Sequence, residues 1–435
     1  MLTCATAAVA LLATATLALA AGGELDPTFS GDGWLRTLEV RSASNNYLPG
    51  GAEDVALQPD GKIVVTGKLI DGTSHRYFGV FRYAPDGSLD RSFAGKGWVD
   101  ADLGDAEFAH AVAVQPDGRI VVAGEADCPR AICFALVRLM PDGSRDRSFG
   151  GEGVVRTMFA QCGCRAYDVA VQADGRIVVA GMRTRGGDAQ NDQLFAVARY
   201  LPDGRLDGTF SGDGLLSIDF GFGDDEAYAV AVRRDGRIVV AGRGTRNVYR
   251  TEEDFAVARL LGNGRLDRTF SGDGRATVDF GRTLSDGAFG LALQRDGRVV
   301  LAGASGKRDA PPRLAVARLL RNGRLDRTFG AGGRRSTRPG PNGGYARAVT
   351  LQPDGRIVVG GRVFDDARFD MSAWVLARYS RGGALDRSFG RGGLVVGDFG
   401  TGSDWVGGLA AQRDGKIVAA GSIYESQALA RYLAG

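Results

Sequence analysis

The chain has 435 residues, of which 44% are hydrophobic and 24% are charged. This composition excludes a disordered chain, a collagen and a protein with several membrane spans. The 54 basic and 51 acidic residues give a net charge of +3, which does not indicate nucleic-acid binding. The 67 glycines indicate many tight turns, and the 2 histidines limit the catalytic chemistry that the chain can perform.

The first residues have the features of an export signal. Residues 5–21 are apolar and uncharged, but this stretch is shorter than the ~20 residues that a membrane helix needs. Ala18 and Ala20 fit the small-x-small pattern of a cleavage site, although no Lys or Arg precedes the apolar stretch. We therefore predict a signal peptide over residues 1–21, a mature chain over residues 22–435 without a membrane span, and an extracellular, periplasmic or cell-surface location.

The rest of the chain repeats one hairpin pattern seven times. An Asp-Gly turn separates two runs rich in β-branched residues, and this combination predicts a β-hairpin because both turn residues tolerate positive φ. The turns recur at intervals of 57 to 61 residues, which predicts a single repeat array. Their aspartates are Asp60, Asp117, Asp174, Asp235, Asp296, Asp354 and Asp414.

Each repeat contains four short strands, which we call A, B, C and D. In the second repeat, strands A and B include residues 111–114 and 120–123, which are apolar on both faces. Strands of this kind are covered on both sides. Strands C and D of the first repeat correspond to residues 78–83 and 98–103. Four-stranded sheets stacked around a channel form a β-propeller.

The two ends of the array predict how the ring closes. The chain opens with a D strand at residues 34–40, without A, B or C strands before it, and it ends with a C strand at residues 428–432. We predict that the first D strand pairs with the last C strand, near residues 429–433, because this pairing covers two open sheet edges. The predicted fold is an all-β, seven-bladed propeller with four antiparallel strands per blade.

The repeated run from Gln-Pro-Asp-Gly through Phe-x-Val-x-Arg-Tyr to Leu-Asp-x-Ser-Phe resembles the delta-60 repeat, a bacterial β-propeller repeat of about 60 residues with no assigned activity. The resemblance covers nearly all of residues 22–435. It implies the propeller fold and a location at the cell envelope or outside the cell. It implies no catalytic residues, and we expect no cofactor.

An arginine recurs in strand C, and an aspartate recurs before strand D. These charges form either a sevenfold ring that binds a ligand or a structural pair inside each blade that braces the C–D connection. We favour the structural pair, because bidentate Arg–carboxylate geometry suits a partly buried corner. The expected pairs are Arg82 with Asp90, Arg138 with Asp146, Arg199 with Asp207, Arg259 with Asp267, Arg318 with Asp326, Arg378 with Asp386, and Arg431 with Asp26.

Four cysteines of the mature chain fall in two neighbouring loops. Cys128 and Cys133 lie in or beside a B–C loop, and Cys162 and Cys164 lie in the next D–A loop. In an exported protein we expect two disulfides. A zinc site is the alternative, although its ligands seldom have these spacings. We favour bonds between the two loops over bonds within each pair, because a Cys-x-Cys ring is strained.

The B–C and D–A loops differ between blades, whereas the A–B and C–D turns barely change, so we expect function on the loop side. Glu53, Asp54, His110 and Asp168 stand at the starts of A strands in three successive blades, and His75 lies in the first B–C loop. These residues are the candidates for a general-base or metal site of a hydrolase or lyase. The alternative, which we favour, is a set of scattered surface polar residues.

The loops of the fourth blade are acidic. Asp224, Asp225 and Glu226 lie in its D–A loop, and Glu252 and Glu253 lie in its B–C loop. Carboxylates gathered in this way are candidate calcium ligands. The alternative, which we favour, is a solvated acidic edge that nearby arginines neutralise.

Six aromatic residues lie near the predicted channel mouth. They either stack on a sugar or peptide ligand or fill gaps between neighbouring blades, and we favour packing. If a ligand binds there, Tyr167, Tyr228 and Trp405 are the expected anchors. The full set is Phe108, Tyr167, Tyr228, Phe289, Tyr345 and Trp405.

Together these features predict an exported, monomeric binding or scaffold module. Its partner is an unknown protein or carbohydrate at the cell envelope, contacted through the variable loops. We expect no metal and no enzymatic activity, because the chain has few histidines and no Gly-x-Ser-x-Gly motif. The alternatives are a hydrolase or lyase that uses the histidine and carboxylate candidates, and a purely structural surface protein.

Overall fold

The computed structural model describes residues 22–38, 40–41, 46–104, 107–160, 163–185, 193–221, 223–244, 253–281, 284–307, 310–365, 371–397, 399 and 402–435. The predicted signal peptide, residues 1–21, lies outside the described residues. The regular elements of the described residues are β-strands. No helix among them is long and apolar enough to cross a membrane.

The strands follow one another in the order of the repeats. Their bounds are β1 (Trp34–Thr37), β2 (Val40–Arg41), β3 (Asn46–Leu57), β4 (Ile63–Asp71), β5 (Arg76–Tyr83), β6 (Trp98–Ala101), β7 (Phe108–Val114), β8 (Ile120–Asp127), β9 (Ile132–Leu139), β10 (Val154–Thr157), β11 (Cys164–Val171), β12 (Ile177–Thr184), β13 (Gln193–Tyr200), β14 (Leu215–Ile218), β15 (Glu226–Val232), β16 (Ile238–Gly244), β17 (Asp254–Leu260), β18 (Arg275–Val278), β19 (Leu284–Leu293), β20 (Val299–Lys307), β21 (Arg313–Leu319), β22 (Arg334–Thr337), β23 (Gly344–Leu351), β24 (Ile357–Phe364), β25 (Ser372–Tyr379), β26 (Leu394–Gly397), β27 (Trp405–Ala411), β28 (Ile417–Ile423) and β29 (Ser426–Tyr432).

The described strands form seven antiparallel sheets, which confirms the predicted seven-bladed propeller. Blades 1 to 6 consist of β3–β6, β7–β10, β11–β14, β15–β18, β19–β22 and β23–β26, and blade 7 consists of β27–β29 with β1. Blade 1 also carries β2 beside β3. We call the face with the B–C and D–A loops the loop face and the opposite face, with the A–B and C–D turns, the turn face.

The N-terminal strand closes the ring as predicted. β1 pairs antiparallel with β29, and Thr37 lies opposite Gln427. The strand ends at Thr37 and not at residue 40, because the chain turns there toward blade 1. Leu38 is 55% exposed at this turn, and Val40 pairs with β3. The first and last blades are therefore joined both by the closing strand and by the segment that follows it.

The hydrophobic core is divided into layers between neighbouring blades. Between blades 2 and 3, Val121 and Leu136 form one fully buried cluster with Val179 and Ala198. Each of the seven blade contacts has such a cluster among the described residues. Strands B and C are apolar on both faces because each face is covered by a neighbouring blade. Since every layer needs two blades, each blade depends on its neighbours for stability.

Each strand C arginine contacts its own blade and the next one. Arg318 Nε donates to Asp326 Oδ2 at 2.8 Å, and its guanidinium carbon lies 4.7 Å from the ring centroid of Phe329. Its second nitrogen donates to the carbonyl oxygen of Arg381 in the following blade. The other six arginines make the same carbonyl contact. We call each Arg–Asp pair with this inter-blade contact a staple.

The staple aspartate also contacts a cation that lies immediately before strand B, which the sequence analysis did not anticipate. Asp326 Oδ2 lies 3.0 Å from Arg298 Nε. Each of the other six staple aspartates has a corresponding cation. Burial opposes ionisation of Asp326, but hydrogen bonds from Thr328 and the charge of Arg318 lower its pKa below the usual value. The seven carboxylates are therefore held ionised, each between two cations.

The cysteines pair differently from the favoured prediction. Cys128 and Cys133 are bonded to each other, with their Cα atoms 5.9 Å apart, so the bond between two loops is wrong for this pair. The reason is local, because the β8–β9 hairpin places the two residues next to each other on its opposite arms. Cys162 lies outside the described residues. Sγ of the buried Cys164 lies 3.6 Å from the carbonyl oxygen of Thr157.

Candidate functional site

Every A strand contains a β-bulge four residues before its last residue. In blade 3, Ala166 lies opposite Gly181 and Asp168 lies opposite Ala180, so Tyr167 is left without a partner. A Cβ at Gly181 would overlap the backbone of strand A, and the glycine therefore permits the bulge. An isolated glycine inside a strand pattern is the sequence signal for such a bulge, and each B strand carries one.

In six blades the bulge residue carries a side chain that lines the central channel. In blade 7 the bulge residue is a glycine. These residues, which we call the collar, line a cavity of about 560 Å³ at the loop-face end of the channel. The collar consists of Glu53, His110, Tyr167, Tyr228, Phe289, Arg347 and Gly407.

The collar residues Tyr167, Tyr228 and Phe289 form a continuous row of rings, which we call the aromatic arc. The ring centroids of Tyr167 and Tyr228 are 5.1 Å apart, as are those of Tyr228 and Phe289. His110 extends the arc at 5.7 Å from Tyr167, and Tyr345 extends its other end at 5.9 Å from Phe289. The rings are half-buried, so each contacts its neighbours and also presents surface to the cavity.

Two of the six predicted aromatic residues neither belong to the arc nor extend it. Trp405, one of the expected anchors, lies beneath the guanidinium of Arg347, whose carbon is 4.5 Å from its ring. Phe108 packs 6.3 Å from His110. Neither residue lines the cavity, although Tyr345, which also precedes its bulge residue by two positions, does. Four of the six aromatic residues therefore line the cavity and two pack beside it, and stacking of the lining rings on a ligand stays a prediction.

The other half of the collar is charged. Arg347 Nη2 lies 3.1 Å from Glu53 Oε2, which joins blades 6 and 1 across the closure of the ring. The sequence analysis named Glu53 but missed Arg347, because nothing in the local sequence places residue 347 beside residue 53. The repeat alignment that places Glu53 at the bulge also places Arg347 there.

Two predicted carboxyl groups line the cavity directly after bulge residues. Asp54 accepts hydrogen bonds from the N–H groups of Val55 at 2.8 Å and Val112 at 2.9 Å. Asp168 accepts from Val169 and Val230, both at 2.7 Å. In each case the second donor belongs to the next blade, so the carboxyl group joins two blades.

These two carboxyl groups have raised pKa values. Burial raises the pKa of Asp54 to about 6, and the charge of Glu53 adds to the shift. Burial and the charge of Asp54 raise the pKa of Asp168 to about 8. The environment of both groups therefore opposes their negative charge.

The two histidines are in different surroundings. His110 lines the cavity, and burial lowers its pKa to about 4. Its Nε2 is buried without a hydrogen-bond partner among the described residues. His75 lies in the β4–β5 loop, where its backbone N–H donates to Asp71 Oδ1 at 3.0 Å and its ring packs 5.6 Å from Tyr77. His75 is not among the residues lining the cavity, so the structure does not bring the two imidazoles together there.

The acidic residues predicted for blade 4 surround an arginine. Arg243 lies 3.1 Å from Glu226 and 3.0 Å from Glu253, and the nearby Asp224 adds to the negative charge around it. Asp225 accepts a backbone hydrogen bond at 2.6 Å within its own loop. Arg243 supplies the expected neutralising charge, but Asp225 and Glu226 are buried, so the prediction of a solvated edge is wrong for these two residues. The fifth predicted ligand, Glu252, lies outside the described residues.

A second acidic group, which the sequence analysis missed, lies where blades 4 and 5 meet. Carboxylate oxygens of Asp254, Asp279 and Asp286 lie within 4.8 Å of one another. Burial raises the pKa of Asp286 to about 7, and its Oδ2 accepts the N–H of Phe280 at 2.8 Å. Asp286 therefore closes the loop that enters β19.

The turn face has a cavity of about 700 Å³, which is larger than the one inside the collar. It is lined by A–B turns of blades 5 to 7, including Gln294, Gln352 and Gln412, which occupy the same repeat position. Gln352 Nε2 donates to the carbonyl oxygen of Gly415 in the next blade at 2.7 Å. Its walls thus repeat one residue type, and one of these glutamines joins two blades, whereas the collar presents a different set of side chains.

The fold and the collar define this chain as a β-propeller that frames a cavity at one end of its channel. A family model described as "Domain of unknown function (DUF5122) beta-propeller" matches residues 58–93, 115–149, 172–210, 233–270, 294–329 and 352–389, about half of the chain. The chain belongs to this family. A search of curated proteins found no relative.

Solved structures of similar shape have low sequence identity to this chain. The WD40 β-propeller domain of Doa1 is 11% identical, with a TM-score of 0.48, and the match covers 94% of this chain and 98% of that one. Virginiamycin B lyase from Staphylococcus aureus is 10% identical, with a TM-score of 0.47 and coverage of 89% and 98%. A protein of unknown function from Dyadobacter fermentans is 14% identical, with a TM-score of 0.47 and coverage of 92% and 98%. No function is transferred from these similarities.

Proposed function

We propose that this protein is an exported binding module whose ligand, a carbohydrate or a segment of another protein at the cell envelope, occupies the cavity inside the collar. The observation that carries the proposal is that one repeated backbone position bears six different residue types. The packing of the ring does not determine the residue type at a position where the backbone repeats and the side chain varies. Contact with a ligand explains such variation. The apolar N-terminal stretch and a disulfide, which is typical of oxidising compartments, support export.

The cavity favours binding over catalysis. A general base needs a proton within hydrogen-bond reach and a pKa near the working pH. His110 has a low pKa and makes no hydrogen bond to a carboxylate among the described residues. The pKa values of Asp54 and Asp168, about 6 and about 8, would suit a general base, but both oxygens of each group already accept backbone N–H groups that join two blades. Glu53 is held by Arg347. The cavity therefore offers contact surface and not a positioned acid–base pair.

The proposal is tested by capturing material from the envelope fraction of the producing organism. The bait proteins are the wild type, a collar variant and a turn-face control. The collar variant combines Tyr167→Ala, Tyr228→Ala and Phe289→Ala, which removes the aromatic arc. The control combines Arg295→Ala and Arg413→Ala, two exposed residues of the turn-face cavity.

Mass spectrometry and glycan analysis then compare what each bait retains. We expect one species that the wild type and the control retain and the collar variant loses, with all three proteins showing the same circular dichroism spectrum. Equal retention by all three, or loss with the turn-face control alone, contradicts the proposal.

The enzymatic alternative leads to a different result. If the protein is a hydrolase or lyase, the captured species is converted during incubation, and combining His75→Ala with His110→Ala abolishes that turnover. The binding module leaves the species chemically unchanged with either protein.

A further inference from the structure

Carboxyl groups outnumber cations around the collar cavity. Among its described lining residues, Glu53, Asp54 and Asp168 carry carboxyl groups and Arg347 is the one cation. Arg347 is paired with Glu53 at 3.1 Å. Burial keeps His110 neutral, because it lowers the pKa of the imidazole to about 4. Asp54 and Asp168 therefore have no ion-pair partner among the described residues.

These two carboxyl groups are held at matching positions. Both directly follow a bulge residue, and the other five blades have alanine or glycine at this position. Each carboxyl oxygen accepts one backbone N–H, which leaves it able to accept one more hydrogen bond. The charge of Asp54 contributes to the raised pKa of Asp168, so the two groups are near enough to repel each other. A cation between them would offset this repulsion and favour the ionised form of Asp168.

The aromatic arc supplies the second element of a cation site. The faces of aromatic rings carry negative charge and attract ammonium and guanidinium groups within about 6 Å. Tyr167, Tyr228 and Phe289 present three such rings in sequence around the same cavity. A hard metal ion instead requires several free oxygen ligands. The cavity is lined by aromatic rings, and its carboxyl oxygens already accept N–H groups. It therefore suits an organic cation better than a metal ion.

We propose that the collar cavity binds an organic cation, an ammonium or guanidinium group, between the aromatic arc and the carboxyl groups of Asp54 and Asp168. The inference rests on the proposed function and narrows its ligand to a chemical class. The cation belongs either to a small amine or to a basic side chain of a peptide, and both place the same group in the cavity.

The first test uses the purified wild-type protein and two probes of nearly the same shape. Choline carries a quaternary ammonium group, and 3,3-dimethyl-1-butanol has a carbon atom in place of the nitrogen. Isothermal titration should show that choline binds at least about tenfold more tightly than the neutral alcohol. Equal affinities, or tighter binding of the alcohol, overturn the inference without the use of any variant.

A third probe, the peptide Gly-Lys-Gly with an acetylated N-terminus and an amidated C-terminus, distinguishes the sources of the cation, and the peptide Gly-Gln-Gly with the same end groups is its neutral control. Tighter binding of the peptide than of choline assigns the cation to a basic side chain, and the reverse order assigns it to a small amine. Either order supports the shared chemistry, provided that the neutral alcohol and the peptide Gly-Gln-Gly bind more weakly.

Variants then locate the site. Asp168→Asn and Tyr228→Leu should each weaken choline binding by about tenfold, because one removes a carboxylate and the other an aromatic face. The matched control is Asp117→Asn, which removes the same charge from a turn-face aspartate that also accepts a nearby backbone N–H. Choline binding that is equally weakened by the control, or unaffected by both cavity variants, overturns the inference.

The outcomes separate this inference from the binding function on which it rests. Tight binding of a neutral saccharide or of an anion, with no preference for choline over its isostere, leaves the binding module in place and overturns the cation. Retention of envelope material that does not depend on the collar overturns the binding function itself.

Discussion

The two faces of the propeller use the same repeat in opposite ways. On the turn face, each of the seven blades has a staple of arginine and aspartate at the same repeat positions, including a contact to the next blade. On the loop face, the equivalent bulge residues range from Glu53 to Gly407 without a common chemistry. Side chains therefore recur at positions that join neighbouring blades, and they differ between blades at positions that the stability of the ring does not require.

This difference has a physical reason. A staple must fit the blade that follows, and all seven blades present the same carbonyl group there. A bulge residue lines the channel, where its side chain does not have to contact a fixed backbone group of the next blade. The following predictions test how far the turn face carries the stability of the ring and how far the loop face is free of that requirement.

The largest effect should come from opening the ring. Deleting residues 22–40 removes β1, exposes the edge of β29 and leaves Arg431 without Asp26, its partner at 2.7 Å. We expect a protein that either fails to fold or associates through the open edge, because an unpaired strand edge and an unpaired buried charge are both costly. Thermal unfolding and light scattering measure the two outcomes.

A permuted chain is the matched control for this deletion. The N–H of Leu433 donates to the carbonyl oxygen of Glu24 at 2.8 Å, so the two ends lie side by side. A chain that begins at residue 46 and carries residues 22–45 behind Gly435 should be monomeric and as stable as the wild type. A deletion variant that is itself monomeric and equally stable would contradict the role of β1.

Breaking one staple should have the next largest effect. Arg199 and Asp207 are 4% and 1% exposed and lie 2.9 Å apart. Arg199→Ala should lower the free energy of unfolding by about 3 kcal/mol, at the lower end for a buried pair, because Arg176 remains beside Asp207 at 2.9 Å. Urea unfolding measures the change.

The control for the staple lies in the same turn. Arg205 is paired with Asp203 at 2.8 Å, but its side chain is 77% exposed. Arg205→Ala should change the free energy of unfolding by less than about 0.5 kcal/mol, as exposed pairs generally do. Equal losses for Arg199→Ala and Arg205→Ala would show that the staples do not carry the ring.

The two faces should also respond to pH in opposite directions. Burial and the charge of Asp54 raise the pKa of Asp168 to about 8 in the folded state, against about 3.9 in an unfolded chain. Its protonated form is therefore favoured by folding, and the stability it contributes is present below pH 4 and lost as the pH rises toward 8. The staple carboxylates act in the other direction. The pKa of Asp267 is lowered to about 2, so its contribution is present above pH 4 and lost as the pH falls toward 2.

Asp168→Asn isolates the loop-face contribution. The free energy of unfolding of this variant should fall less steeply between pH 5 and pH 8 than that of the wild type, even if the variant is less stable throughout. The comparison uses the slope against pH and not the absolute value. Identical slopes would mean that Asp168 is ionised across this range.

The smallest effect concerns a tyrosine at the end of strand C. When strand D of the preceding blade ends with threonine, the tyrosine hydroxyl forms a hydrogen bond with the threonine hydroxyl. Tyr200 donates to Thr157 in this way at 2.9 Å. Blade 6 has Gly397 at this position, and the buried hydroxyl of Tyr432 in blade 7 has no partner among the described residues. Tyr200→Phe should cost about 1 kcal/mol, whereas Tyr432→Phe should be neutral or stabilising. A clear loss with Tyr432→Phe would reveal a partner for its hydroxyl.

Local pattern was sufficient to predict the fold. Seven copies of a hairpin signal, apolar strands without alternation and an unpaired D strand at the start lead to seven blades and to the pairing of β1 with β29, because each of these features depends on neighbours in the chain or on simple counting. The partner of each staple arginine within its blade is similarly local, since eight residues separate Arg318 from Asp326. Its contact with the next blade and the second cation on the aspartate were not predicted, because they require the stacking of separate repeats.

The collar shows what only the tertiary structure decided. Sequence reasoning found Tyr167, Tyr228 and Phe289 but grouped them with Phe108 and Trp405, because a bulge shifts the alternation of a strand by one residue and the glycine that permits it was not used as a signal. It missed Arg347 for another reason. Arg347 and Glu53 are 294 residues apart in the chain and 3.1 Å apart in space. A ring brings such residues together around its axis, and the sequence within a single repeat carries no information about which side chain the opposite end of the array will supply.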